Sequence, residues 1–205
     1  MLDSQDAVND YRNAFCDRSH SEFLEIVHDK YRDKDFSSQF IESQFSIPGA
    51  EHPADKALRM DTTIMLVDDP VKRVDNMTMA WSLEARVPFL DHELVELAAK
   101  IPAEYKIGQG GKYILKEAAR SIIPSEVIDR PKGYFPVPAL KYIQGKYLDF
   151  VTNILKSDSC RNRNIIKNEY VDTLLESPEA HITPLKGSKL WQVTLLEFWM
   201  KQNGI

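Results

Sequence analysis

At 205 residues, with 43% hydrophobic and 28% charged side chains, the chain has the size and composition of a globular protein that can bury a sizeable core. A formal net charge of -5 argues against general nucleic-acid binding, which takes a basic surface. No apolar run reaches the roughly 18 residues of a membrane span, and Met1-Leu2-Asp3-Ser4-Gln5-Asp6 has no basic region followed by an apolar core. Neither membrane insertion nor secretion is expected. Cys16 and Cys160 are far apart and unpatterned, which suits free thiols in a reducing, cytoplasmic compartment, although a bridge between them stays open.

Residues 1–31 read as two helices. Val8, Tyr11 and Phe15 share one face, and Ser21 is the expected cap of a second helix with Leu24, Val27 and Tyr31. Residues 31–35 are a polar turn. Phe36, Phe40 and Ile41 predict a short helical turn, broken by Ser46-Ile47-Pro48-Gly49. No strong core signal accompanies these aromatics, so residues 1–53 read as a helical lead-in to a region spanning 54–205.

A helix is expected over 54–67, with Ala57, Met60, Ile64 and Val67 in a stripe, ended by Asp68-Asp69-Pro70. Asp69 then serves as N-cap and Pro70 as first residue of a new helix carrying Val71, Val74, Thr78 and Trp81 on one face. That pattern stops near Leu83. Glu84 and Arg86 follow, Pro88 forces Val87 to be extended, and Phe89 and Leu90 look buried. Asp91 caps a helix with Leu94, Leu97, Ala98 and Ile101, stopped by Pro102. A flexible loop, Gly108-Gln109-Gly110-Gly111, leads to a helix with Leu115, Ala118, Ala119 and Ile122 on one face, closed by Pro124.

Residues 125–130 allow one short helical turn. Arg130-Pro131-Lys132-Gly133-Tyr134-Phe135-Pro136-Val137-Pro138 is a stiff, extended loop. Leu140, Ile143, Tyr147, Phe150, Val151 and Ile154 mark a long amphipathic helix. Residues 157–163 read as a polar loop, and Tyr170, Val171, Leu174 and Leu175 as a short helix. Residues 189–201 are apolar on most sides, the pattern of a helix buried against several neighbours. No segment alternates at period two, so the fold class is all-α, with about eight to ten helices at ordinary lengths.

The chemistry-bearing residues are few. The five histidines are scattered with no pair at ligand spacing, so no metal site is expected. There is no nucleophile elbow, Walker loop or G-x-G-x-x-G. The Gly108–Lys112 run superficially resembles a phosphate loop, but it is short and no strand precedes it, which favours an interhelical loop. Glu84 and Arg86 are two charges at a helix corner between apolar neighbours. Residue types alone favour a salt bridge there, because structural ion pairs outnumber catalytic acids. Lys132, held between Pro131 and Gly133, is either an ordinary solvated lysine or a cation presented to a phosphate.

The run Val74-Asp75-Asn76-Met77-Thr78-Met79-Ala80-Trp81-Ser82-Leu83-Glu84-Ala85-Arg86-Val87-Pro88-Phe89-Leu90-Asp91 resembles the signature of the asparagine synthase family. Lys112-Tyr113-Ile114-Leu115-Lys116, Arg130-Pro131-Lys132-Gly133-Tyr134-Phe135 and the closing Leu190-Trp191-Gln192-Val193-Thr194-Leu195-Leu196-Glu197-Phe198-Trp199 follow at matching spacing. The resemblance covers about residues 54–200. Asp55–Asp61 and Asp68–Arg73 are most similar to the branch that makes N-acetylglutaminylglutamine amide.

The resemblance implies a glutamine-dependent, amide-forming synthetase that adenylates a carboxylate with Mg-ATP and lets ammonia displace AMP. The acceptor would be aspartate or a glutamine-containing dipeptide. Lys132, with Gly133 beside it, would meet the α-phosphate and departing pyrophosphate. Glu84 would bind a cationic substrate group or manage the ammonia proton. Arg86 would hold Glu84, and Asp75 would fix the preceding helix. The family's N-terminal cysteine nucleophile, its Ser-Gly-Gly-x-Asp-Ser pyrophosphate loop and its metal-binding Asp are absent from these 205 residues. The chain therefore reads as the helical C-terminal portion of an adenine-nucleotide α-hydrolase-like synthetase domain. The parallel-sheet half and the glutaminase are missing, and the chain is expected to be inactive alone. The alternative is a stand-alone helical interaction module that has lost the chemistry.

Overall fold

A computed structural model describes residues 6–131 and 143–205. The protein is all-α: among these residues there is no strand, only isolated antiparallel bridges between Val27 and Ile166 and between Ile182 and Ser188. The helices are α1 (Ala7–Phe15), α2 (His20–Ile26), α3 (Phe36–Phe45), α4 (Pro53–Met60), α5 (Lys72–Met79), α6 (His92–Lys100) and α7 (Ala103–Ile107). They continue as α8 (Tyr113–Ala119), α9 (Ser125–Ile128), α10 (Lys146–Leu155), α11 (Asp158–Arg163), α12 (Asn168–Glu176) and α13 (Lys189–Gln202). They are more numerous than the eight to ten expected. The described residues divide into one unit of 6–11 with 37–131 and another of 12–36 with 143–205.

The first unit has a small core of Tyr11, Ile41, Phe45, Ala57 and Met60. Tyr11 meets the Phe45 ring edge-on at 5.5 Å, and its hydroxyl donates to Asp61 at 2.5 Å. Burial, reinforced by that carboxylate, pushes the Tyr11 phenol well above its ordinary range. Residues 36–45 thus carry more than the expected single turn: α3 has ten residues, and Ile41 and Phe45 are core. Arg59 satisfies the end of α3, donating to the carbonyls of Gln44, Ile47 and Pro48 at 2.8, 2.9 and 3.0 Å.

The expected break at Asp69-Pro70 does not occur. One helix runs over 53–79, passing through two π-helical stretches, Asp61–Met65 and Val67–Val71. The Leu66 amide reaches back to the Asp61 carbonyl and the Lys72 amide to the Val67 carbonyl, five residues each. Two local causes are visible. Thr62 and Thr63 donate their hydroxyls to the carbonyls of Leu58 and Arg59, competing with the backbone ladder. Pro70 has no N–H to donate, and the wider π turn lets the helix pass it.

Beyond this helix the first unit is thin. Across the described residues 61–131 only Ala103 is buried. Lys106 on α7 ties back to Asp55 on α4 at 2.7 Å. The helix expected to reach Ile122 ends at Ala119, and Ile122 is 82% exposed.

The second unit has a conventional core of Ile143, Val151, Leu155, Cys160, Ile166, Val171, Leu174, Leu190 and Val193. Each fully buried leucine there contributes roughly 1.5–3 kcal/mol. The chain enters α10 at Gly145; Ile143 is buried but not helical, and Leu140 lies outside the described residues. Ser157 accepts from the Cys160 amide and starts α11 where a polar loop was expected. Ser19, not Ser21, caps α2, in a reciprocal capping box with Glu22. Helix α13 buries Leu190, Val193, Thr194, Glu197 and Met200, but Leu195, Leu196 and Trp199 are exposed, so it is half-buried rather than enclosed. Both cysteines are free thiols.

Candidate functional site

The corner that carries Glu84 is built by the way α5 ends. Ser82 adopts the left-handed conformation (φ 58). Its amide donates to the Met79 carbonyl and the Leu83 amide to the Thr78 carbonyl, both at 3.0 Å. This is the Schellman closure, with serine at the position glycine normally holds. The left-handed conformation costs serine on the order of 1 kcal/mol. The turn redirects the chain into an irregular stretch up to Val87, followed by one 3-10 turn over Pro88–Leu90. Asp91 then caps α6, accepting from the amides of Glu93 and Leu94 as the sequence predicts.

Glu84 and Arg86 pair directly, Arg86 Nη2 donating to Glu84 Oε2 at 3.0 Å. Their side chains are 66% and 83% exposed. The expected apolar enclosure is not there: Phe89 is 67% exposed and Trp81 87%, and Leu90 is only half-buried. The reason is that no other described element of this unit covers the corner. A pair so exposed stabilises the fold by about 0–1 kcal/mol. It holds an accessible carboxylate beside a guanidinium, on a corner whose apolar side chains face solvent.

Asp75 lies on the exposed side of α5, and among the described residues its carboxylate has no hydrogen-bond or ion-pair partner. Lys132 and Gly133 lie outside the described residues. Lys112 sits in a left-handed conformation at the start of α8, and the Gly111 amide is spent on the carbonyls of Ile107 and Gly108. The run joins α7 to α8 as an interhelical loop with one 3-10 turn over Gly108–Gly110. Among the described residues no three His, Cys, Asp or Glu side chains come together to hold a metal ion. No helix among them is long and apolar enough to cross a membrane.

Two features escaped the sequence reading. The left-handed Ser82 carries no glycine signal. The clasp of Arg120 on Asp129, at 3.0 and 3.1 Å, joins residues nine apart, a spacing no helical rule pairs.

Glutamine-hydrolysing asparagine synthetase 1 of Bacillus subtilis (strain 168) is 38% identical over 136 residues, 66% of this chain and 21% of that protein. Asparagine synthetase 3 of the same organism is 29% identical over 175 residues, 78% of this chain and 28% of its own length. The human glutamine-hydrolysing asparagine synthetase is 36% identical over 92 residues, 43% of this chain and 16% of that protein. The chain thus spans under a third of the length of each of these relatives. No solved structure matches. The family model for asparagine synthase matches residues 4–201, nearly the whole chain, so the signature around Glu84 and the helices that frame it are those of a member: this chain belongs to the asparagine synthase family.

Proposed function

We propose that this chain supplies the helical wall of the active site in an ATP-dependent, glutamine-hydrolysing, amide-forming synthetase. The observation that carries the reading is the Glu84 corner: an accessible carboxylate within the family signature, paired with Arg86 and set on a fixed turn. Mg-ATP enters as substrate. Its phosphates are cradled by a segment outside these 205 residues, which agrees with the chain spanning 21% of a Bacillus relative. Lys132 neutralises charge as pyrophosphate leaves, and Gly133 joins it in binding the nucleotide. Glu84 accepts the proton of the attacking ammonia or binds a cationic group of the acceptor. Asp75, in the first turn of α5, fixes the helix that leads into the corner. The acceptor is aspartate or a glutamine-containing dipeptide, and glutamine supplies the ammonia.

Carboxylate-dependent ATP–pyrophosphate exchange tests this. The intact synthetase containing this segment is expected to catalyse exchange, and the 205-residue chain alone is not. Lys132→Ala in the intact protein lowers the rate by about 100-fold or more, the scale of removing one charge-stabilising group. Normal exchange in that variant would remove Lys132 from the mechanism, and exchange by the isolated chain would overturn the divided site. A second reading, a helical interaction module without chemistry, is favoured by one observation, the exposure of Trp81 and Phe89. It predicts that the intact protein catalyses no exchange with either acceptor.

A further inference from the structure

We propose that the first unit holds a binding site for a free α-amino acid with an apolar side chain. The site is a cavity of about 350 Å³ where the start of α1, the end of α3 and the start of α4 converge. It uses no residue of the Glu84 corner and does not depend on the adenylation reading. Its volume falls within the range of small-molecule sites, about 300–1,000 Å³. The floor is apolar: Phe45 belongs to the core of this unit, Ala7 and Val8 pack against that core, and Pro53 completes the lining.

Glu42 and Lys56 also line the cavity, and they do not pair with one another. Among the described residues neither side chain has a hydrogen-bond or ion-pair partner, although Lys56 is half-buried. A half-buried cation is normally given a counter-ion. The adjacent Asp55 is taken by Lys106 at 2.7 Å. The other charge in the lining, Asp6, is engaged at the start of α1, accepting from the Asn9 amide at 3.2 Å and from the Asn9 side chain. Glu42 and Lys56 also stand against their own helix ends. Glu42 is in the last turn of α3, where a cation is favoured, and Lys56 is the fourth residue of α4, where an anion is favoured. Arg59 answers the carbonyls at the end of α3 and does not line the cavity. The cavity thus has a negative pole, a positive pole and an apolar floor. An ammonium at Glu42, a carboxylate at Lys56 and a hydrocarbon side chain over Val8 and Phe45 satisfy all three. An amine or a carboxylic acid alone satisfies one pole and leaves the other charge unpaired.

The experiment is a titration of the 205-residue chain with L-leucine, followed by NMR shifts of its backbone amides. Saturable shifts are expected at residues 7–8, 42–46 and 53–56, with Kd on the order of 1 mM, a strength open to so small a ligand. Leucinamide, which lacks the carboxylate, and 4-methylpentanoate, which lacks the ammonium, each bind about tenfold or more weakly, the scale of one charged hydrogen bond. Lys56→Met abolishes the preference for leucine over leucinamide and keeps that over 4-methylpentanoate. Glu42→Gln does the reverse. Neither side chain has a partner to lose, so the fold is retained, which unchanged α12 amide shifts verify. If a variant does not fold, the two analogues decide the matter on the wild-type chain. No saturable shift at those residues with about 20 mM L-leucine overturns the site. Equal binding of leucine and either analogue, or unaltered preferences in the folded variants, overturns the assignment of an α-amino acid to it.

Discussion

Glu84 and Arg86 show how little a salt bridge says about a residue until its exposure is known. Because the pair is solvated, Arg86→Ala is expected to change stability by less than about 0.5 kcal/mol, measured by chemical denaturation. Amide formation by the intact synthetase should nonetheless fall in Glu84→Gln, since the amide can neither accept a proton nor bind a cation as strongly. Arg163 and Glu197 are the opposite case. Glu197 is 2% exposed and takes two hydrogen bonds from Arg163, at 2.8 and 3.1 Å. Arg163→Met strands a buried carboxylate and should cost roughly 3–5 kcal/mol, whereas adding Glu197→Leu should recover much of it. Beside this pair, burial and then the Glu197 charge push the Cys160 thiol from 9.0 up to about 12. The folded value lies above the unfolded one, so the contribution to stability is complete below pH 9 and is lost as pH rises toward 12. Wild-type protein should therefore lose denaturation midpoint more steeply than Cys160→Ala above pH 9. At pH 8, a thiol reagent should label Cys16 well before Cys160.

At the scale of elements, the helix over 53–79 is where sequence rules and structure part most clearly. Asp69-Pro70 has the form of a helix start, and local rules read it so. The helix continues because π turns absorb the missing donor, a tolerance that no dipeptide records. Pro70→Ala restores that donor. It is expected to raise helix content by circular dichroism and to stabilise the first unit by about 1–3 kcal/mol, the scale of an interior proline. A decrease would mean that the π stretch is stabilised by more than the proline. Ser82→Gly should likewise stabilise by about 0.5–1 kcal/mol, since glycine holds the left-handed position without strain. Caps and stops written in residue types were legible: Asp91 before α6, Pro102 after it, and the apolar stripe of α12. The cap of α2 was misplaced: Ser21 was expected, whereas Ser19 forms the box with Glu22, three residues on, a spacing that could have identified it. Glu84 could be picked out because a long signature surrounds it. Its exposure could not, since that depends on what covers a corner rather than on the residues forming it. The Arg120–Asp129 clasp was illegible because two short helices must fold back before the partners meet.

For the whole molecule, the two units differ in what holds them. The unit with α12 and α13 has a core in which Val151, Leu155, Val171, Leu174 and Leu190 are at most 2% exposed. Residues 61–131 of the other bury only Ala103, while Met77, Leu83, Phe89, Leu97 and Ile122 are each more than half exposed. Short helices with so little burial are marginal in water, since propensity alone does not sustain them. Amides that open locally exchange at rates set by the free energy of that opening. In the isolated chain, amides of α12 and α13 should therefore resist hydrogen exchange, while those of α5, α6 and α8 exchange within seconds to minutes. The same chain should bind a hydrophobic dye, and Trp81→Ser with Phe89→Ser should reduce that binding without affecting α12 or α13. If the exposed face is the wall of a shared site, residues 72–119 become protected in the intact synthetase, and Mg-ATP with the carboxylate adds protection around Glu84. Equal protection of the two units in the isolated chain would show that residues 61–131 are held by something other than a partner surface.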